Sequence, residues 1–451
     1  MAIRAFRREL SAPTTAERVF HAVFSSDDCL VWVDVSGPSK PPHSVLGRGE
    51  LHELSGPDAL EDLRRLWVAN ALELEKERVP LGLMVVLPYD LSALTLQHPG
   101  EWRVPEDWDE PLRVVALHQS ISVDWSSGVA TVWMRGDEDE DLDQEEFDHY
   151  VRRVETALAS RAAPTSDVPQ PAGRARWRDT PPAYRGMIAS AREAIRDGEA
   201  YQLCVTTQVT VDSDLSDWQL HSLLRRVSPA PHQALLRLGG VSMVSASPET
   251  FLHLDRDQTL TTRPIKGTRP RGESEEDDQR LMTELLQSEK EQAENLMIVD
   301  LMRNDFLQVC AVDSVRVAGL FEVETFSTVH QLVSTITGVL DEGYDGIDAL
   351  RACFPAGSMT GAPKSRAVRL LSEWESGPRG IYSGAWGWLH PDLSMELAMT
   401  IRTAIFADGV VRIGTGGGIT WSSQVDEEIA EVGHKAKSLL EALGVSTIAY
   451  S

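Results

Sequence analysis

The order of apolar and polar positions sorts the chain into two periods. Between about residues 17 and 160, short apolar runs predict strands at 30–35, 82–87, 113–117 and 128–134, separated by polar turns. Helical spacing covers 58–75 and 145–158, the second behind an acidic run at 137–143 that reads as a solvated loop feeding a helix N-terminus. Residues 160–182 are rich in Pro, Ala, Arg and Asp and carry no period, which marks a linker at 161–182. The predicted organisation is a strand-rich region at 1–160, that linker, and a region at 183–451.

Beyond the linker, Tyr184, Met187, Ile188, Ala191, Ala194 and Ile195 fall on one side of a helix at 184–196, with Gly198 just past its end. Strands follow at 201–211, 233–238 and 241–246, and a long helical region runs from 275 to 306. Further helices are expected at 348–354, 363–374 and 426–443, with strands at 382–389, 395–406 and 410–414. Asp408-Gly409 between two strands signals a hairpin, so the sheet is at least partly antiparallel. Strands grouped in long runs, without regular alternation with helices, give an α+β fold class.

Charge narrows the function. The 451 residues hold 43 basic and 69 acidic side chains, a formal net charge of −26 that argues against nucleic acid or an anionic membrane as partner. Four scattered cysteines without CxxC spacing suggest neither a zinc site nor a disulfide framework. The basic first ten residues are followed by no apolar signal segment, and no run approaches eighteen apolar residues. A reducing cytoplasm is the expected location.

In this acidic chain, residues 263–272 (RPIKGTRPRG) place one lysine and three arginines in a stretch that prolines and glycines keep from being helical. A bound anion would explain it; a solvated basic turn is the plain alternative. Arg402 lies on the polar face of the predicted 395–406 strand, where it could bind a carboxylate bidentately or simply face solvent. Gly414-Thr415-Gly416-Gly417-Gly418 closes the next strand and exposes backbone N–H groups, although glycine turns do so too. On the last helix Glu428, Glu431 and Lys435 share a face beside the apolar stripe. With Glu294 from another helix, these carboxylates suit Mg²⁺; a Glu431–Lys435 surface pair is the simpler reading. Finally, the FPAGSMTGAPK stretch at 354–364 opens a helix, where it could bind an anion or cap.

Taken in order, SPE at 247–249, PIKGT at 264–268, AExxMIVDLxRND at 293–305, FPAGSMTGAPK, GAWGWL, IRTA at 401–404, GxGGGI at 414–419 and ExxExxxKA at 428–436 resemble the chorismate-binding enzymes. The match is dense over about 180–445. The resemblance implies two large antiparallel sheets packed as a sandwich with helices outside, the N-terminal region completing it. Water-using members carry a lysine where this chain has Gln202, which implies ammonia as the nucleophile. Lysine at 266, where anthranilate synthases have alanine, resembles the aminodeoxychorismate synthase branch, component I.

By matching position the resemblance implies Lys266 as covalent nucleophile and Glu249 as the acid for the departing hydroxyl. Glu294 and Glu431 would hold Mg²⁺ against the ring carboxylate, with Glu428 nearby. Arg402 and the backbone around Gly416 would bind the enolpyruvyl carboxylate, while Gly267, Thr268, Trp388, Gly414, Thr415, Gly417 and Lys435 line the pocket. Trp388 stands where the family often has tyrosine. Gln331, beside His330, replaces the histidine that anthranilate synthases use to eliminate pyruvate. The 228–233 stretch (SPAPHQ) departs from the related tryptophan-binding segment, so feedback control is not expected.

No cysteine lies in a Gly-x-Cys-x-Gly elbow, so the expected partner is a separate glutamine amidotransferase subunit, component II. Two alternatives stand beside this reading: an ortho-aminating, anthranilate-type enzyme, and a catalytically inactive chorismate-binding regulatory subunit.

Overall fold

The computed structural model describes residues 4–37, 40–72, 79–96, 110–136, 140–160, 173–326 and 329–445. Every strand pairing among them is antiparallel. One sheet runs from the Arg174–Trp177 strand through Gln202–Asp212, Val410–Ile419, Thr403–Ala407, Ser242–Ser247 and His232–Leu238 to Cys29–Gly37. The other runs from Gly82–Leu87 through Ala385–Leu389, Met395–Met399, Thr250–Leu254 and Thr259–Thr262 to Val329–Val339.

Two long strands, Lys40–Leu54 and Leu112–Asp124, belong to both sheets. A register shift between Arg48 and Gly49 lets the pair bend from one to the other. A Cβ on Gly49 would collide with the Ala116 carbonyl, so only glycine permits the strands to stay close there.

Period-two alternation explains the layers. Met84 and Val86, Val115 and Leu117, and Ala234 and Leu236 point into one apolar core between the sheets, together with Trp386 and Trp388. Their neighbours Leu83, Val85, Val114 and Ala116 point outward under the helices that carry Leu63, Trp67, Ile298, Met302 and Leu350. On the opposite outer face, Trp32, Leu235, Val244 and Val411 pack under helices carrying Phe147, Leu220 and Leu440. The α+β sandwich of two antiparallel sheets with helices outside is therefore the architecture of this chain.

Several expected boundaries move. The 275–306 helical region is two helices, Glu275–Leu286 and Glu289–Phe306, because Ser288 breaks the first and caps the second by accepting from the Glu291 N–H. The 395–406 strand is interrupted at 400–402, where Arg402 adopts φ +51°. The 58–75 helix spans Ala59–Ala69, and 73–75 lie outside the described residues. Of the 161–182 stretch, 161–172 lie outside them as well; the rest holds the Arg174–Trp177 strand and the first turn of the Pro181–Arg196 helix. No described helix is long and apolar enough to cross a membrane.

Candidate active site

A cavity of about 430 Å³ lies where four elements meet: the strands Ile265–Pro270 and Val410–Ile419, and the helices Glu289–Phe306 and Val425–Ala442. Glu249, Lys266, Gly267, Thr268, Glu294, Arg402, Gly414, Thr415, Gly416, Glu428, Glu431 and Lys435 all line it. Trp388 and Gly417 are not among its lining residues.

Lys266 sits in a strand and not in the loop its prolines and glycines suggested. Ile265–Pro270 pairs with Val329–Val339, and the register slips between Lys266 and Thr268, leaving Gly267 as the extra residue at φ +77°. Such a bulge re-aims the flanking side chains, here into the cavity. Lys266 Nζ comes within 3.5 Å of where a Cβ on Gly418 would be. Glu249 follows the Ser242–Ser247 strand, accepts hydrogen bonds from the Ser358 side chain and the Ile265 N–H, and is 8% exposed. Burial pushes its carboxyl up to about 7, against the pull of the Lys266 ammonium.

The glycine run is the interior of a strand, which corrects the expectation that it closes one. Gly414 to Ile419 pair in register with Gln208 to Leu203. A side chain at 414 would strike the Tyr382 ring, and one at 416 would come within 2.5 Å of the Val205 carbonyl oxygen. At 417 it would reach Glu428 Oε2 at 3.0 Å, and at 418 Gln202 Nε2 at 2.8 Å. The glycines thus clear space for four different neighbours. The Gly416 carbonyl accepts from Lys435 Nζ at 2.9 Å, so this residue turns its polar groups away from the paired strand and toward the cavity side. The Thr415 hydroxyl is engaged elsewhere, donating to the Val432 carbonyl and tying strand to helix.

Glu294, Glu428 and Glu431 form an acidic wall from two helices. Burial raises the first two above the usual carboxylate range. Burial acts the same way on Glu431, but Lys435, at 2.7 Å, overcomes it and brings that carboxyl below its usual value. Lys290 Nζ lies 3.9 Å from Glu428 Oε1. The donors are hard oxygens and fit a divalent cation. They are held by lysines, however, and among the described residues no three acidic, histidine or cysteine groups converge as a preformed metal cage.

Arg402 reaches the cavity because the strand breaks at its position, not because of period-two alternation. Its left-handed backbone is uncommon for a non-glycine residue, and its guanidinium lies within electrostatic reach of Tyr382 and Glu431. Burial lowers its affinity for the proton.

A sequence profile of chorismate binding enzymes matches residues 37–441. The chain belongs to the chorismate-binding enzymes. An aminodeoxychorismate synthase of Streptomyces griseus is 33% identical over 469 residues, covering 98% of this chain and 64% of that protein. One from Streptomyces pristinaespiralis is 44% identical over 273 residues, 60% of this chain and 38% of that protein. The chain therefore spans less than two thirds of the length of either relative. The crystal structure of anthranilate synthase component I from Streptococcus pneumoniae superposes with a TM-score of 0.77 at 26% identity, covering 90% of this chain and 93% of that one.

Within this chorismate-binding chain two expected positions read differently. Trp388 is buried between the sheets and stacks on His390 at 5.8 Å, while Tyr382, expected to open the 382–389 strand but lying in the turn before Ala385–Leu389, supplies the aromatic wall. His330 points away from the cavity: its ring contacts Asp278 Oδ1 at 2.8 Å and the Thr325 hydroxyl at 2.9 Å, whereas Gln331 lines the cavity. Strand alternation separates the two.

Sequence reasoning missed Lys290, Glu291, Cys204 and His434 as lining residues. Helical spacing from Glu294 and Glu431 would have found all but the cysteine. Gln202 stands behind Gly418, fully buried, and neither amide atom has a protein hydrogen-bond partner among the described residues.

Proposed function

We propose that this chain aminates chorismate at ring C4, giving 4-amino-4-deoxychorismate, as component I of an aminodeoxychorismate synthase. The observation that carries the reading is the shared cavity of Lys266 and the buried Glu249, whose proton is retained near neutrality. Once its ammonium has given a proton to solvent, the Lys266 amine adds at ring C2 while the C4 hydroxyl departs, taking its proton from Glu249 and leaving as water. Ammonia then forms a bond to C4, the C2–N bond breaks, and the lysine amine is released; the surplus proton returns to Glu249. Arg402 and the Gly416 backbone orient the enolpyruvyl carboxylate. Glu294, Glu428 and Glu431 would hold Mg²⁺, which when bound supplies positive charge beside the ring carboxylate.

A neutral amide at Gln202 cannot take a proton from water, in keeping with ammonia as nucleophile. Ammonia would come from a separate glutamine amidotransferase subunit. The reading in which Lys266 forms no bond has one supporting observation: its ammonium is attracted by Glu249, Glu294 and Glu431, which suits a purely electrostatic part in an anthranilate-type reaction.

Chorismate, ammonium and Mg²⁺ with the purified chain test the proposal. A para-amino product by NMR, and an intact-mass adduct mapped to the Lys266 peptide when ammonium is omitted, are expected. An ortho-amino product without an adduct would replace it by the anthranilate-type reading.

A further inference from the structure

The two lysines of the acidic wall are held in different ways. Lys435 is anchored: its ammonium donates to the Gly416 carbonyl at 2.9 Å and pairs with Glu431 at 2.7 Å, one turn away on the same helix. Lys290 has no such anchor. Among the described residues its one carboxylate within 4 Å is Glu428 at 3.9 Å, beyond hydrogen-bonding distance, and its side chain is 44% exposed. It lies one turn before Glu294 on the Glu289–Phe306 helix, so its flexible stem reaches across to the other helix where Glu428 and Glu431 sit.

We infer that Lys290 is a displaceable internal counter-ion, whose ammonium neutralises the Glu294–Glu428–Glu431 wall and must swing out to solvent when a divalent cation binds there. The inference rests on the proposed reading that these carboxylates hold the cation. Three carboxylates facing one cavity repel one another, and Glu428 is 2% exposed, so water alone screens it poorly. An ammonium on a long stem relieves that repulsion without filling the site permanently. Cation and lysine then compete for the same oxygens. Lys435 cannot play this part, because leaving would strand the Gly416 carbonyl as well as Glu431.

Competition fixes the sign of the effect of substitution. Removing the lysine charge removes the competitor and tightens binding of the metal, whereas a lysine that helped to bind substrate or shape the wall would leave metal affinity unchanged or weaken it. The probe is Mn²⁺ alone, titrated into the full chain without chorismate and followed by the loss of the free-ion EPR signal. Lys290→Met is expected to bind on the order of tenfold more tightly than wild type. Lys290→Arg, which keeps the charge, is expected within about twofold of wild type by the same argument. Thermal melting of each metal-free variant, with Lys290→Met at or slightly below wild type, shows that the comparison is between folded proteins.

If wild type binds Mn²⁺ and Lys290→Met binds equally or less tightly, the counter-ion role is wrong while the metal reading stands. If Glu431→Gln binds Mn²⁺ as well as wild type does, the carboxylate wall is not the cation site, and the metal reading falls together with this inference.

Discussion

Glu249 illustrates what one residue's surroundings do. Its carboxylate form lacks water, and the hydrogen bonds from Ser358 and the Ile265 N–H together with the Lys266 charge offset only part of that loss. With its pKa raised to about 7, the group is the protonated acid below neutrality and loses its proton as pH rises through that value. Turnover that depends on this acid should therefore hold at pH 6 and fall above about pH 7. Glu249→Gln should remove that limb and lower kcat by about 10²–10⁴-fold, checked by pH–rate profiles with chorismate and ammonium. A descending limb that survives in the variant would assign the acid elsewhere. At this scale the sequence was legible wherever an unusual residue type stood in an unusual place: a basic stretch in an acidic chain, an arginine on the polar face of a predicted strand, carboxylates beside an apolar stripe. Tyr382 and Cys204 carried no such contrast. Trp388 misled because a strand inside a sandwich has two buried faces, and an apolar aromatic suits either.

At the scale of elements, the glycine run of the Val410–Ile419 strand shows a motif recognised for one reason and required for another. Its spacing suggested bare N–H groups at the end of a strand, yet each glycine makes room for a particular neighbour within a continuous ladder. The neighbours differ in how far they can give, so two small substitutions should separate. At 414 a methyl group would lie 2.0 Å from Cγ of the Tyr382 ring, next to its backbone and not at a movable tip; Gly414→Ala should cost about 1–3 kcal/mol through overpacking and lower the urea midpoint. At 418 the methyl group meets the far end of Gln202 at 2.8 Å, with Lys266 Nζ 3.5 Å away. A side-chain tip can move, so Gly418→Ala should melt within a few degrees of wild type. It should nonetheless lose turnover, up to about 10²-fold, because Lys266, which lines the cavity, sits against the added methyl. Equal stability loss in both variants would show that the 418 site is packed as rigidly as the 414 site. Helix and strand boundaries slipped at Ser288 and at 400–402 for a related reason. Both breaks are made by local hydrogen bonding and backbone twist, which an apolar period does not record.

At the scale of the whole molecule, a buried ion pair lies behind the cavity-lining residues Cys204 and Met359. Arg379 and Glu375 have side chains 2% and 5% exposed and bond at 2.8 Å. Arg379 also donates to the carbonyls of Met359 and Cys204 and lies 4.3 Å from the Tyr89 ring centre, while Glu375 accepts from the Thr206 N–H and hydroxyl. One pair thus joins the N-terminal region, the first strand after the 161–182 stretch to reach the cavity, and the 354–364 segment. The pair itself is four residues apart, but its contacts reach back to Tyr89, Cys204 and Thr206, and spacing along the chain says nothing about those. Removing one partner leaves the other charged, desolvated and short of hydrogen bonds. Arg379→Met should therefore lower stability by about 3–5 kcal/mol, read from the urea midpoint at constant slope. Removing both charges should cost less than removing the arginine alone, so Glu375→Gln with Arg379→Met should recover part of the loss. The opposite order, with the double variant as weak as the sum of the singles, would mean that the two side chains stabilise the fold independently through their carbonyl and amide contacts. Because Cys204, Met359 and Tyr382 all line the cavity above this pair, turnover in Arg379→Met should fall even under conditions where the chain is still folded. A folded variant with unchanged turnover would show that the pair bears on stability alone.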